Sequence, residues 1–163
     1  MLSNSLVRIS LRIFFLIALL TVPAQVSAQI DFTYHSSYSY LKGNNAASLG
    51  ADWKNSGFND SGWLTGNAPF RYGDGTSGVE LTDMINNYST IYLRSTFKCS
   101  GKELIDKLVL NIDYDDGCVI WINGVKALSI NAPASLAYNS FAPLNHESGT
   151  GELFNVDASA LNL

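Results

Sequence analysis

The stretch from Lys107 to Lys126 reads KLVLNIDYDDGCVIWINGVK, and it decides the fold class of this chain. Large apolar residues fall at every second position from Leu108 to Tyr114, which is the period of a strand with one buried face. The dipeptides Asp116-Gly117 and Asn123-Gly124 each precede a further apolar run, and both tolerate the positive φ that two-residue hairpins require. We therefore predict an antiparallel meander of three strands within an all-β domain.

The rest of the chain also favours short strands joined by turns. It is rich in Gly, Asn, Ser, Tyr and Thr and has no long run at helical period. We expect further strands at Tyr38–Leu41, Ile91–Lys98 and Glu152–Val156. A single helical turn is expected within Gly101–Lys107, and a long glycine-rich loop between Trp53 and Asp83.

The first 28 residues resemble a targeting segment rather than part of the fold. Arg8 and Arg12 precede a short apolar core at Ile13–Leu20, and Val26-Ser27-Ala28 places small residues before Gln29. The apolar run is shorter than the roughly 20 residues that span a bilayer, which disfavours a retained anchor. We predict a signal peptide over residues 1–28, one domain over residues 29–163, and a secreted or cell-surface location.

The net charge of the exported part disfavours some classes of partner. Without Arg8 and Arg12 the chain's 10 basic residues fall to 8, against 14 acidic residues, so the exported part carries a formal charge of −6. Nucleic acids and anionic membrane surfaces both require clustered Lys and Arg. A neutral ligand or a cation is the better expectation.

Cys99 and Cys118 leave two alternatives open. An exported chain meets an oxidising compartment, where a disulfide between them would close a loop and stabilise the fold by roughly 3 kcal/mol. Otherwise both are small buried apolar residues. Neither zinc-site nor CxxC spacing is present.

An ordered series of motifs follows Trp53. The series comprises FNDSGW at 58–63, GNAP at 66–69, YGDG at 72–75, YLRSTF at 92–97, DDG at 115–117 and Asn123-Gly124. It resembles the galactose-binding-like jelly-roll domains, similar to carbohydrate-binding modules, of large secreted bacterial proteins. The resemblance covers about residues 38 to 133, and Asn59 stands where the family usually has an acid.

The resemblance implies an antiparallel β-sandwich of jelly-roll type that serves as a non-catalytic appendage. Related domains bind sugars, and many hold a structural calcium. The chain stops at Leu163, where a sandwich needs further strands to pair its open edges. We therefore expect an incomplete domain of a longer protein, lacking its last strands.

Several aromatic residues are candidate ligand contacts. Trp53, Trp63 and Tyr72 form either a sugar-stacking platform or a small core that pins the long loop to the sandwich, and we favour the second for the two tryptophans. Trp121 points away from the core face of its strand if Cys118, Ile120 and Ile122 face inward. It is therefore expected to contact a ligand, to be covered by a neighbouring domain, or to be partly buried.

Charged residues give weaker signals. Arg94 is expected to bridge carboxylates such as Asp74 or Asp116 and so hold the long loop, with sugar binding as the alternative. Calcium would require Asp60, Asp74, Asp115 and Asp116 to converge, whereas turn formation alone explains the acids at 115 and 116. The two histidines, His35 and His146, lack companion ligands in sequence.

Three hypotheses of function follow. The first is a secreted module that binds a carbohydrate or cell-surface polymer. The second is a spacer or docking domain that contacts neighbouring domains of the same polypeptide and binds no small ligand. The third is that the domain belongs to a hydrolase or other enzyme whose catalytic part lies beyond Leu163, because no nucleophile, base or carboxylate pair is singled out here.

Overall fold

A computed structural model describes residues 27–33, 35–73 and 75–163 of the chain. The predicted signal peptide falls almost wholly in residues 1–26 and lies outside the described residues, as does Asp74. Within the described part, no helix is long and apolar enough to cross a membrane.

The described residues are all-β, which confirms the predicted fold class. Short 3-10 helices occur at Gly43–Asn45, Ala51–Lys54 and Lys102–Leu104. The strands are β1 (Gln29–Asp31), β2 (Ser37–Lys42), β3 (Leu64–Asn67), β4 (Phe70–Arg71), β5 (Val79–Glu80), β6 (Ile91–Arg94), β7 (Lys98–Ser100), β8 (Lys107–Ile112), β9 (Cys118–Ile122), β10 (Val125–Ile130) and β11 (Glu152–Asp157).

The strands pair into several small sheets. The antiparallel groups are β1 with β7, β9 with β10, β8 with β11, and the three-stranded order β3-β2-β6, while β4 and β5 form a short parallel pair. This arrangement is consistent with a β-sandwich. The jelly-roll order of strands stays a prediction.

The hydrophobic core lies between the β8–β11 pair and the β9–β10 pair. Leu108 from β8, Ile122 from β9 and Val156 from β11 are buried together, and Leu161 closes the cluster from the C-terminal segment. The predicted alternation in β8 is confirmed, since Leu108 is buried whereas Val109 is 61 % exposed. Each strand of the pair therefore buries one face and exposes the other.

The predicted three-stranded meander is wrong in one connection. The turn Asn123-Gly124 does form a two-residue hairpin between β9 and β10, with φ of 49° and 84°, as its type I′ preference requires. However, β8 pairs with the distant β11, so Asp116-Gly117 belongs to a crossover between sheets. The backbone at Gly117 packs closely against the end of β10. A glycine is required there, because an added Cβ would lie 2.9 Å from the carbonyl oxygen of Ile130.

Two other predicted elements differ from the structure. The strand expected at Ile91–Lys98 is interrupted, because β6 ends at Arg94 and β7 begins at Lys98. The loop expected between Trp53 and Asp83 contains β3, which pairs with β2 although its sequence LTGN carries no apolar alternation. Pairing with β2 supplies the backbone hydrogen bonds that the side-chain pattern does not indicate.

Candidate functional site

Arg94, at the end of β6, fixes the segment that carries the first tryptophans. Its Nε donates to Asp60 Oδ2 at 3.1 Å, and its Nη1 donates to the backbone oxygens of Trp53 and of Asn55, the latter at 3.2 Å. The guanidinium also lies 5.2 Å from the ring centroid of Phe58. Because an arginine fork can bond several oxygens at once, this one side chain, 14 % exposed, holds the 53–60 segment against the sheet.

The predicted role of Arg94 agrees with the structure, but Asp116, one of its two expected partners, has a different partner. The carboxylate is Asp60, from within the long loop, and Asp116 instead accepts the backbone N–H of His146 at 2.7 Å. The other expected partner, Asp74, lies outside the described residues. The long loop is therefore held through an acid of its own, Asp60.

Trp53 is the centre of an aromatic cluster. Its ring centroid lies 5.1 Å from Tyr92 on β6, 5.3 Å from Trp121 on β9, and 6.4 Å from Trp63. The first two contacts are edge-to-face, the geometry that aromatic pairs prefer. Trp63 packs on its other side against Phe58 at 5.8 Å. Trp53 thus links the long loop to two strands, and Trp63 supports the loop from within.

An open groove of about 370 Å³ lies beside this cluster. Its lining comes from the segment 46–54, from Tyr92 and Trp121 on the strands, and from the segment 136–138. The lining residues are Ala46, Ala47, Leu49, Gly50, Ala51, Trp53, Lys54, Tyr92, Trp121, Leu136, Ala137 and Tyr138. Of the candidate ligand contacts, Trp53 and Trp121 line this groove.

The other predicted contacts lie elsewhere. Trp63 is one layer away behind Trp53, and Arg94 is occupied in holding the loop. Tyr72 is 47 % exposed between β4 and β5 and is not part of the lining. The structure thus brings Trp53 and Trp121 together, and leaves Tyr72 apart.

The sequence did not predict the wall of the groove that residues 136–138 form. The hydroxyl of Thr90 donates to the carbonyl oxygen of Tyr138, and the carbonyl of Thr90 accepts the N–H of Gly43 at 2.9 Å. Gly43 is required at this junction, because an added Cβ would lie 2.8 Å from the Tyr138 oxygen. Tyr138 is separated from Thr90 by 48 residues, so no local pattern predicts the contact.

Lys54 is the charged side chain of the groove. Its Nζ lies 5.2 Å from the ring centroid of Trp121, a cation–π contact. Among the salt bridges found in the described residues, none involves Lys54. The ammonium group is therefore held over an indole without a carboxylate partner there.

A second polar cluster surrounds His146, which sequence reasoning treated as isolated. Its ring stacks on Tyr114 with centroids 4.1 Å apart, Nδ1 lies 3.1 Å from the Tyr114 carbonyl oxygen, and Nε2 lies 2.8 Å from Glu152 Oε1. The bond to Glu152 raises the pKa of His146 above its ordinary value, with the Tyr114 carbonyl and the charge of Asp115 adding to the effect. This cluster attaches the segment 131–151 to β11 and to the end of β8.

Of the four acids predicted to bind calcium, Asp74 lies outside the described residues and the other three have other partners. Asp60 bonds Arg94, Asp116 accepts from His146, and Asp115 is also engaged. Within residues 27–33, 35–73 and 75–163 there is no group of three His, Cys, Asp or Glu placed to share a metal ion. Calcium stays a prediction, which a lowered melting temperature in EDTA, restored by added calcium, would test.

Cys99 and Cys118 are partly buried in the structure, and the disulfide between them stays a prediction. Both are free, and each strand has a different partner, since Cys99 faces Ile30 in β1 whereas Cys118 faces Ile130 in β10. Burial raises the pKa of the Cys118 thiol to about 11. A thiol with that pKa is inert at neutral pH.

Comparison with protein-family models, with curated proteins and with solved structures finds no match for this chain. The function of the groove is therefore inferred from its geometry. That geometry is an aromatic surface made by Trp53, Tyr92 and Trp121, with a cation at one side.

Proposed function

We propose that the protein is a secreted, non-catalytic β-sandwich module that binds a carbohydrate or cell-surface polymer in the groove beside Trp53 and Trp121. One observation carries the proposal: two tryptophans from distant parts of the chain meet at 5.3 Å in the lining of an open groove. The resemblance to galactose-binding-like domains points the same way, and it also suggests that the module works within a larger multidomain protein.

The composition of the lining suits a sugar. The apolar CH faces of pyranose rings pack on aromatic side chains, which carry large contact area at low entropic cost. A groove of about 370 Å³ falls in the range of small-molecule sites, roughly 300–1,000 Å³. Lys54 and the Tyr92 and Tyr138 hydroxyls offer polar partners for sugar oxygens.

Binding is favoured over hydrolysis by the same residues. Glycoside hydrolysis requires two carboxyl groups facing each other across the bond that is cleaved. The groove residues found in the described part of the chain include no Asp, Glu, His, Ser or Cys. We therefore propose binding rather than hydrolysis at this groove.

Trp121→Ala tests the proposal. We expect a calorimetric screen of common plant and microbial polysaccharides to find saturable binding, and we expect Trp121→Ala to weaken it by about fivefold or more, the loss of an aromatic contact of about 1 kcal/mol. Tyr72→Ala is the matched control, because Tyr72 is exposed but outside the lining. Flat titrations across the whole screen, or equal losses in the two variants, would contradict the assignment.

A docking domain without a small ligand is the second candidate. Val109 and Leu153 project from the outer face of the β8–β11 pair, where Leu153 is 69 % exposed. Exposed apolar residues that are neighbours on one face are typical of surfaces covered by another domain. This candidate predicts flat titrations with every polysaccharide, so the same screen separates the two.

A further inference from the structure

The groove carries a positive charge at its aromatic surface. Lys54 is the one charged residue of the groove lining in the described part of the chain. Its Nζ is held 5.2 Å from the centre of the Trp121 ring, where a bound sugar would pack. An ammonium group at that position attracts negatively charged groups of a ligand that lie next to the indole.

A second cation flanks the same indole. Lys126 of β10 is the direct cross-strand partner of Trp121 of β9. Directly opposed residues of an antiparallel pair project from the same face with their Cβ atoms about 5 Å apart. Trp121 is therefore bordered by Lys126 along the sheet and by Lys54 from the 3-10 helix above it.

None of the salt bridges found in the described residues involves Lys54 or Lys126. Asp60 is paired with Arg94, and Asp52 is exposed, with Oδ1 at 3.5 Å from Asn55 Nδ2. Residues 29–163 as a whole carry a formal charge of −6. A local cationic surface in an acidic protein is not a consequence of composition, and it selects ligands by charge at short range.

We propose that the groove binds an acidic sugar, a hexuronate unit of a polysaccharide, whose ring packs against the indoles of Trp53 and Trp121 and whose carboxylate pairs with Lys54. The proposal rests on the glycan-binding function and names its ligand class. The flexible stem of Lys54 lets the ammonium group turn from the indole to the carboxylate, while Lys126 adds a longer-range attraction. The negative charge of the rest of the surface repels polyanions elsewhere, so binding is confined to this groove.

The test compares a sugar acid with its methyl ester, which lacks the negative charge of the carboxylate. Oligogalacturonate and its methyl ester of the same length are titrated into the purified protein by calorimetry, and oligomannuronate with its ester serves as a second pair. We expect the acid to bind about fivefold or more tightly than the ester, the gain of one charge-assisted contact. The preference should shrink when salt is raised, because the charges lie near the surface.

Lys54→Gln keeps a polar side chain of similar size and removes its charge, so it should weaken binding of the acid more than binding of the ester and reduce the preference. Lys98→Gln is the matched control, because Lys98 is an exposed lysine of β7 outside the groove. Equal binding of acid and ester by the unmodified protein would overturn the acidic-sugar assignment and leave glycan binding intact. A preference that Lys54→Gln leaves undiminished would overturn the role of Lys54. Absence of binding to every acidic and neutral polysaccharide would overturn the proposed function itself.

Discussion

At the scale of single residues, Arg94 does more than any other described side chain to shape the groove. It contacts three oxygens and one aromatic ring of the segment 53–60, and that segment presents Trp53 to Trp121. The salt bridge with Asp60 is one part of this role. Arg94 also donates to the backbone carbonyls of Trp53 and Asn55, and the Asn55 carbonyl accepts the N–H of Phe58 as well.

Replacing Arg94 should therefore affect stability and binding together. We expect Arg94→Ala to lower the free energy of unfolding by about 2 to 3 kcal/mol, because Asp60 and two carbonyls lose a largely shielded donor. Arg94→Lys should recover part of the loss, since an ammonium group keeps the charge but lacks the fork. Urea unfolding of the three proteins measures this. An Arg94→Ala protein as stable as the parent would show that the loop is held by the aromatic cluster alone.

Sequence alternation predicted correctly that Trp121 lies on the opposite face of β9 from the buried Ile122. It did not predict that Trp53 covers part of Trp121, because the two are 68 positions apart and the intervening loop has no regular period. The sequence also did not predict the salt bridge between Asp60 and Arg94, because Asp60 was a candidate calcium ligand. Alternation describes one strand at a time, whereas these contacts join separate segments.

At the scale of elements, the segment 131–151 is attached by side chains rather than by a sheet. Asn131 donates to the Leu144 carbonyl at 2.5 Å and accepts the Leu144 N–H at 3.1 Å. Asp113 accepts the N–H of Gly149 at 2.9 Å, and His146 bonds Glu152 on β11. This segment also supplies the Tyr138 wall of the groove.

The His146 contact predicts a pH dependence. Both ring nitrogens face oxygen atoms, so the doubly protonated imidazolium is favoured, and the pKa of His146 is raised above its ordinary 6.5. A raised folded-state pKa means that the stabilisation is fully present below about pH 6.5 and is lost as pH rises through the higher folded value. We expect the difference in melting temperature between the parent and His146→Gln to shrink between pH 5.5 and pH 8.5.

The variant His35→Gln is the control for general effects of removing a histidine. A difference between the parent and His146→Gln that is constant with pH would contradict the imidazolium assignment.

The sequence predicted the pairing of some strands and not of others. The hairpin of β9 and β10 follows from Asn123-Gly124, since that dipeptide alone favours the positive φ values observed. The partner of β8 did not follow, because Asp116-Gly117 has the composition of a turn but serves a crossover. Turn composition indicates where a chain changes direction and does not indicate which strand it pairs with next.

At the scale of the whole molecule, the core and the groove are built from different residues. The core is aliphatic and lies between the β8–β11 and β9–β10 pairs, whereas the groove is aromatic and depends on loop segments attached to β6 and β9. Strand β9 serves both, with Ile122 on the core side and Trp121 in the groove. The all-β class was predictable from strand period and turn composition. The groove was not, because it requires three segments far apart in sequence to meet.

The central claim is that a glycan occupies the groove beside Trp53 and Trp121, and the three tryptophan indole N–H signals test it most directly. They are followed by NMR while oligogalacturonate is added to the purified protein, after assignment by single Trp→Phe variants. We predict that the Trp53 and Trp121 signals move with one saturation curve and that the Trp63 signal, from the ring packed on Phe58, moves least. Saturable binding that leaves Trp53 and Trp121 unmoved, or that moves Trp63 alone, would contradict the account.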